Sequence, residues 1–426
     1  MSQLKCGWRV QHSSERTLSR KLSRLVNDQK TFLVSIALIS ILKLVLSMIV
    51  PASIDLGSII SLVQFSRAPI GPWIILYPPL YAQSASNATL LTQWPITAPS
   101  AMSLNLQLIS LSFRFPVFLL DLATCIPLYY AGKSMMSAVA GRLAVLIWFA
   151  NPYAFFGTEL LGVPDIMAIF LVVVSFTFLL QKRSLLGAIF LGLSVWAKFY
   201  PFLLLLPILL FQHRSGISAR DKAATLGCGL LGVGGYLWWT LPSWQLYLTT
   251  YTPVAQPFPF VAGETAINNS AVVLILLYCI MVFFARNTKS LIALLLPTLL
   301  VYYAVSNPAP QYFIWAMPLM ALDIVFVNRS RALLYAAFCT LAFANWFFVS
   351  SAFLTLSGYS LLMIPLGGNN LPTYSLAITQ LLDNSAVINL LLPLVSSALF
   401  ACVVAYAIDV ARTWFSPIDE GAPHET

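Results

Sequence analysis

TFLVSIALISILKLVLSMIVP, residues 31–51, decides the fold class: it is an unbroken apolar run with a single charge, Lys43. A helix that crosses the hydrocarbon core of a bilayer needs about 20 such residues, and this run supplies them. Residues 1–30 precede it and carry Lys5, Arg9, Arg16, Arg20, Lys21, Arg24 and Lys30. A basic flank beside a first span predicts a cytoplasmic N-terminus. Leu18, Leu22, Leu25 and Val26 fall opposite Arg16, Arg20 and Arg24, which suits either an interfacial amphipathic helix or a solvated basic tail. The segment lacks the short apolar core and small-residue cleavage site of a signal peptide, so it is expected to be retained.

The pattern repeats along the chain. Of 426 residues 59% are hydrophobic and 9% charged, with a mean hydropathy of +0.85. Soluble chains average about 45–50% apolar and about 25% charged residues, so a cytosolic enzyme or nucleic-acid-binding domain is excluded. Spans are expected near 31–51, 107–131, 138–153, 165–181, 223–241, 270–285, 290–305, 312–327, 332–352 and 387–411. The stretch 184–211 is interrupted by Lys198 and Pro201. Two short helices meeting at Lys198-Phe199-Tyr200-Pro201 on the outer side keep Arg214, Arg220 and Lys222 in the cytoplasm, and bring the total to about twelve spans. All Lys and Arg except Lys43, Arg67, Arg114 and Lys198 then fall in cytoplasmic segments. The expected organisation is a cytoplasmic N-terminus (1–30), a membrane domain (31–411) and a cytoplasmic tail (412–426).

In this topology the acids Asp55, Glu159, Asp165, Glu264 and Asp383 gather on the outer face. His12, His213 and His424 are expected on the cytoplasmic side, so outer-face chemistry must use carboxylates. The six cysteines are scattered without a CxxC and indicate neither a disulfide framework nor a zinc site. Two sequons, at Asn87 and Asn268, lie on the outer side and a third, at Asn328, on the inner side. Asp55 follows the first span and opens a loop running through Arg67 to Tyr77-Pro78-Pro79-Leu80-Tyr81. A half-buried acid there suits a general base or an N-cap for residues 56–65. Arg114 and Asp121, two helical turns apart, share one face of the second span and should point into the bundle. They serve either as an anchor for phosphate and the first loop, or as a snorkelling Arg114 with Asp121 paired to another helix. Asp165 is a candidate ligand or a helix cap; Lys198 is a candidate phosphate site or a snorkelling charge. Glu264 and Asp383 read best as solvated charges.

Taken in order, these elements resemble the GT-C glycosyltransferases that use polyprenyl-phosphate sugars. The resemblance rests on the acid after the first span, the Tyr77-Pro78-Pro79-Leu80 element and Arg114-Phe115-Pro116 through Asp121-Leu122. Further along it rests on Asn151-Pro152 through Glu159 to Pro164-Asp165, Trp196-Ala197-Lys198-Phe199-Tyr200-Pro201, and Gln311-Tyr312-Phe313-Ile314-Trp315 with Pro318. It covers roughly residues 31–330, and the last element is most similar to the GPI mannosyltransferase I branch and its prokaryotic relatives. That enzyme carries Asp-x-Asp in its first lumenal loop, where this chain has Ile54-Asp55-Leu56-Gly57.

The resemblance implies an all-α GT-C-type bundle of about twelve transmembrane helices, with amphipathic helices in a long first outer loop. The implied reaction moves a hexose, mannose foremost, from a polyprenyl or dolichyl phosphate to a lipid-linked or glycan acceptor on the extracytoplasmic face. Asp55 is the implied catalytic base, and Arg67, Arg114 and Lys198 the donor-phosphate ligands. Glu159, Asp165, Tyr77, Gln311, Tyr312 and Trp315 would shape the acceptor and sugar site, with Asp121 structural. No metal ligand is assigned, and Mg²⁺ or Mn²⁺ assistance stays open. The expected partners are the donor, the acceptor and membrane lipids, with no nucleic acid. The expected location is a prokaryotic plasma membrane, which the single acid favours, or the endoplasmic reticulum. A transporter or flippase of lipid-linked sugars is the alternative, disfavoured by the lack of internal symmetry between the halves.

Overall fold

The structure is a computed structural model that describes residues 28–49, 104–160, 165–250, 291–306, 310–326, 331–349, 394–395 and 397–409. Every regular element among these residues is helical. Helix α1 is Gln29–Ile49. It begins where Asp28 accepts hydrogen bonds from the amides of Lys30 and Thr31 at 3.3 and 3.0 Å, a side-chain cap for otherwise orphaned donors. Leu33, Val34, Leu38, Ile41, Leu42 and Val45 are all exposed. Their spacing makes one outward apolar stripe, and Lys43 points the other way, into the bundle.

Helix α2 (Leu104–Met135) contains Pro116 and Pro127. The Pro127 carbonyl accepts from the Thr177 hydroxyl at 2.9 Å, a contact that ties α2 to α5. Helix α3 (Ala138–Phe149) was expected to continue to residue 153 as one span. It stops at Ala150-Asn151-Pro152, and α4 (Pro152–Phe155) with the π-helical turn Phe156–Leu160 leaves at 53°. Pro152 has no amide hydrogen to continue α3. The Asn151 side chain instead caps α4, accepting from the amides of Tyr153 and Ala154 at 2.8 and 3.3 Å.

Helices α5 (Asp165–Leu180) and α6 (Ser184–Ala197) form a tight pair. The predicted interruption in 184–211 is present. Lys198 is extended, Tyr200–Leu204 forms a 3₁₀ turn, and α7 (Leu205–Arg214) follows. Helix α8 (Ala219–Thr250) packs along α6 and α7. A Cβ built on Gly192 would meet the Cys228 carbonyl oxygen at 2.5 Å, and one on Gly235 would meet the Trp196 ring at 2.8 Å, so α6 and α8 run parallel. Leu205 lies against Gly229, and Gln212 donates to the Thr225 hydroxyl at 2.8 Å, so α7 runs antiparallel to α8. The chain therefore reverses at Lys198. Lys182, Arg183, Arg214, Arg220 and Lys222 come to one end of the hairpin and Lys198 to the other.

Helix α9 (Leu291–Ser306) packs on α7. The expected span 312–327 is instead a 3₁₀ turn, Pro310–Trp315, followed by the ten-residue α10 (Met317–Phe326). Helix α11 (Arg331–Val349) and α12 (Ser397–Asp409) complete the described elements. Arg331 binds both carboxylate oxygens of Asp323 at 2.7 and 2.8 Å and reaches Asp409 at 2.6 Å, while Tyr406 donates to Asp323 at 2.9 Å. This latch joins α10, α11 and α12. Among the described residues two helical segments are long and apolar enough to cross a membrane, Gln29–Ser47 and Arg114–Met135, and the bent α3–α4 pair makes a third if it is one span. Exposed stripes such as Phe115, Leu119 and Ile126 on α2, or Leu230, Leu231 and Trp238 on α8, would be a liability in water. They fit a membrane protein.

Candidate functional site

The run that fixed the fold class also delivers the first centre. Lys43 lies six residues before the end of α1, about 9 Å inside it. Its Nζ contacts Asp121 Oδ2 at 2.5 Å and Glu159 Oε1 at 3.0 Å. Helix α2 supplies Asp121 and the π-helical turn supplies Glu159, so three elements converge on one ammonium. The Phe149 and Phe155 rings lie 4.2 and 5.5 Å from Nζ and complete the enclosure with cation–π contacts. Thr158 adds its hydroxyl beside Glu159 Oε2. All three charged side chains are buried, Glu159 completely. Desolvated charges at this depth persist only when paired and hydrogen-bonded, and a π-helical turn is a frequent way to re-aim one side chain out of helical register.

One helical turn beyond Lys43, the Ser47 carbonyl accepts from Arg114 at 2.8 Å. Lys43 and Ser47 on α1 thus face Asp121 and Arg114 on α2, which places the two helices antiparallel. The shared face predicted for Arg114 and Asp121 is realised, and Asp121 pairs with another helix. Arg114 is buried and clamps the backbone near the end of α1 at Ser47, eight residues before Asp55 in sequence.

The second centre forms where α5 begins and the α6–α7 hairpin turns. Lys198 Nζ contacts Asp165 Oδ1 at 2.5 Å, and Trp315 donates its indole N–H to Asp165 Oδ2 at 3.1 Å. Trp315 in turn lies flat on Tyr200, with ring centroids 3.6 Å apart and planes within 8°. Tyr302 is nearly parallel to the indole at 6.4 Å. Asp165, Tyr200 and Trp315 are buried, whereas the Lys198 side chain is 30% exposed. The arrangement is an ammonium at the rim of a buried aromatic and carboxylate floor.

These two centres contain five of the expected site residues, Glu159, Asp165, Lys198, Trp315 and the structural acid Asp121, and Arg114 lies one turn along from the first. Glu159 is turned inward to Lys43. Trp315 presents its N–H to Asp165 and one face to Tyr200. Gln311 and Tyr312 belong to the 3₁₀ turn that ends at Trp315, and their side chains lie outside the described part. Asp55, Arg67 and Tyr77 lie outside the described residues, as do Glu264, Asp383 and the three sequons. Among the described residues no group of three or more His, Cys, Asp or Glu gathers at one point.

Several participants were not singled out from sequence. Lys43 had a signal, a lone charge in an apolar run, yet nothing local identified partners 78 and 116 residues away. Tyr200 was read as part of a corner, and its stacking on Trp315 crosses more than a hundred positions. Asn151 also donates to the Tyr335 hydroxyl at 2.5 Å and to Cys339 Sγ at 3.3 Å, tying the α3–α4 break to α11. No protein-family model matches this chain, and no curated protein matches its sequence.

Proposed function

We propose that the chain is a multi-pass membrane glycosyltransferase of GT-C type that transfers a hexose, mannose foremost, from a polyprenyl or dolichyl phosphate to a lipid-linked or glycan acceptor on the extracytoplasmic face. The observation that carries this reading is Lys198, which sits at the reversal between α6 and α7, partly open, over the floor of Asp165, Trp315 and Tyr200. A cation at a hairpin corner, at the opposite end from the basic loops, suits a lipid phosphate whose chain stays in the bilayer. A phosphate leaving group needs such charge.

In the proposed reaction an acceptor hydroxyl attacks the anomeric carbon, and its oxygen forms the new glycosidic bond. The bond from the anomeric carbon to the phosphate oxygen breaks, and its electron pair leaves on the phosphate. Asp55 takes the hydroxyl proton. Lys198, with Arg67, balances the charge growing on the leaving group. Arg114 has a positioning part, because its hold on the Ser47 carbonyl fixes the end of α1 that leads into the Asp55 loop. Glu159 and Asp121 hold Lys43, and through it the relative placement of α1, α2 and the π-helical turn.

The test is incubation of the purified protein with labelled polyprenyl-phosphate-mannose, and with its glucose counterpart, against a panel of lipid-linked acceptors. Transfer is expected, and Asp55→Asn should lower it by about 10²–10⁴-fold while donor binding persists. No transfer from either donor overturns the enzyme assignment. One observation favours the transporter or flippase reading: a buried ammonium shared by two carboxylates, Lys43 with Asp121 and Glu159, is also the kind of centre that moves charge within transport bundles. Under that reading Asp55→Asn leaves lipid-linked sugar movement across reconstituted vesicles intact.

A further inference from the structure

We propose that the Lys43 centre is a proton-binding site: one proton resides on Glu159, between its Oε2 and the Thr158 hydroxyl, so that Lys43 and Asp121 form the ion pair and Glu159 is a neutral acid. The inference concerns the wall of the bundle and does not depend on the donor reading above.

Hydrogen counting carries the argument. Three oxygens stand in a row: the Ala154 carbonyl, the Thr158 hydroxyl and Glu159 Oε2. Thr158 Oγ1 lies 2.7 Å from the Ala154 carbonyl oxygen and is also in hydrogen-bonding contact with Glu159 Oε2. Two such contacts need two hydrogens, and a threonine hydroxyl has one. The carbonyl carries none. The hydroxyl therefore donates to Ala154 and accepts from Glu159, and the second hydrogen belongs to the carboxyl. The distances at the ammonium agree. Lys43 Nζ lies 2.5 Å from Asp121 Oδ2 and 3.0 Å from Glu159 Oε1, the order expected of a charged acceptor against a neutral one, since ionised partners bond at shorter range.

Charge balance points the same way. With both acids ionised the centre would hold one negative charge more than Lys43 neutralises. The pocket is already short of donors, because Asp121 Oδ1 is buried with no hydrogen-bond partner among the described residues. A buried carboxyl in such surroundings keeps its proton rather than stand as a bare charge. Lys43 faces Glu159 from α1, and Asp121 faces it from α2, with the Cys125 thiol donating to the Asp121 carbonyl behind it. The Phe149 and Phe155 rings that close the pocket are uncharged. Arg114 is seven residues from Asp121 along α2, about 10 Å, and donates to the Ser47 carbonyl. The 3₁₀ turn Pro310–Trp315 also packs on the π-helical turn and contains no acid or base except the Tyr312 phenol. Loss of the proton would set Glu159 against Asp121 and press the π-helical turn away from α2. The centre is thus a joint between α1, α2 and that turn, tight while the proton is bound.

The test uses the full-length protein in detergent. At neutral pH the infrared difference between wild type and Glu159→Gln should contain a protonated-carboxyl C=O band that moves to lower frequency in D₂O. Thr158→Val removes the oxygen that accepts the proton and should move the same band to higher frequency. This second variant carries the comparison if Glu159→Gln does not fold, as judged by helicity and monodispersity. Thermal unfolding supplies an independent readout. An acid that is protonated in the folded chain and ionised in the unfolded one contributes stability that is lost as pH rises. Between about pH 6 and about pH 9 the wild-type melting temperature should therefore fall more steeply than that of Glu159→Gln. Glutamine keeps an oxygen for Lys43 and supplies an N–H to Thr158, so the variant should melt close to the wild type at the acid end of that range. A carboxyl band that Glu159→Gln leaves in place, or one indifferent to Thr158→Val, overturns the proposal. Equal pH slopes of the two melting temperatures do the same.

Discussion

At the scale of single residues the sharpest expectation concerns Lys43. Its removal leaves Asp121 and Glu159 facing each other in a desolvated pocket, and breaking a buried pair by deleting one partner costs about 3–5 kcal/mol. Lys43→Met should therefore lower the melting temperature in detergent sharply. The triple variant Lys43→Met, Asp121→Asn, Glu159→Gln removes all three charges and should regain most of that loss, since neutral replacements of a buried network are often tolerated. A Lys43→Met protein that melts like the wild type would show that the network carries no stabilisation. The sequence revealed Arg114 and Asp121 as costly charges that must face inward, and the inward orientation is found. It could not reveal which charge meets which, because pairing at this depth depends on how helices distant in sequence come together. Asp165 illustrates the same limit. As a favoured capping residue before an apolar run it has a local explanation, yet both its oxygens are used by Lys198 and Trp315 from other parts of the chain.

At the scale of elements, glycine placement sets how closely the helices approach. A Cβ on Gly232 would fall 2.3 Å from the Gly192 carbonyl oxygen, a backbone atom that cannot rotate aside, whereas a Cβ on Gly234 would meet nothing within 4 Å. Gly232→Ala should force α6 and α8 apart and cost about 1–3 kcal/mol, as overpacking does. Gly234→Ala should be neutral or slightly stabilising, because alanine favours helix by about 1 kcal/mol over glycine. Parallel thermal unfolding of the two variants checks the pair, and equal melting temperatures would refute the close α6–α8 crossing. Apolar runs bounded by charge and proline marked α1, α5, α9 and α11 in the sequence to within a few residues, whereas α8 runs to Thr250, nine residues beyond the expected 223–241. Two features were less legible. Residues 138–153 read as one span because hydropathy does not register the direction change that Asn151 and Pro152 impose. Residues 312–327 read as a continuous helix because Gln311 to Trp315 are compatible with either helical winding; the 3₁₀ turn observed there brings Trp315 to Asp165.

At the scale of the whole molecule, the question is whether the distribution of basic residues and the course of the chain describe the same orientation. Lys182, Arg183, Arg214, Arg220 and Lys222 were assigned to the cytoplasm by the bias of short loops toward Lys and Arg. The α6–α7 reversal places all five at one end of a helical hairpin, for a reason independent of charge: α6 runs parallel to α8 and α7 antiparallel to it. Arg331 qualifies the counting rule. It was included among the cytoplasmic loop charges, yet its guanidinium is enclosed by Asp323 and Asp409, so its charge is spent on a latch rather than offered to headgroups. Loop charge therefore reports orientation only where the side chain reaches solvent. Arg183 and Ser215 do so, being exposed in the turns that flank the hairpin, and Phe199 sits at its opposite tip. Arg183→Cys and Ser215→Cys should react with a membrane-impermeant maleimide only in inside-out vesicles, above the background of the parent protein. Phe199→Cys should react only in intact cells or spheroplasts. Labelling of all three from one side would mean that the reversal at Lys198 does not traverse the bilayer, and would remove Lys198 from the face on which the lipid phosphate is expected. Labelling of the two turns from opposite sides would convert 184–211 into a single span and strand the charges from Arg214 to Lys222 outside, an arrangement that the antiparallel contact of Gln212 with Thr225 opposes.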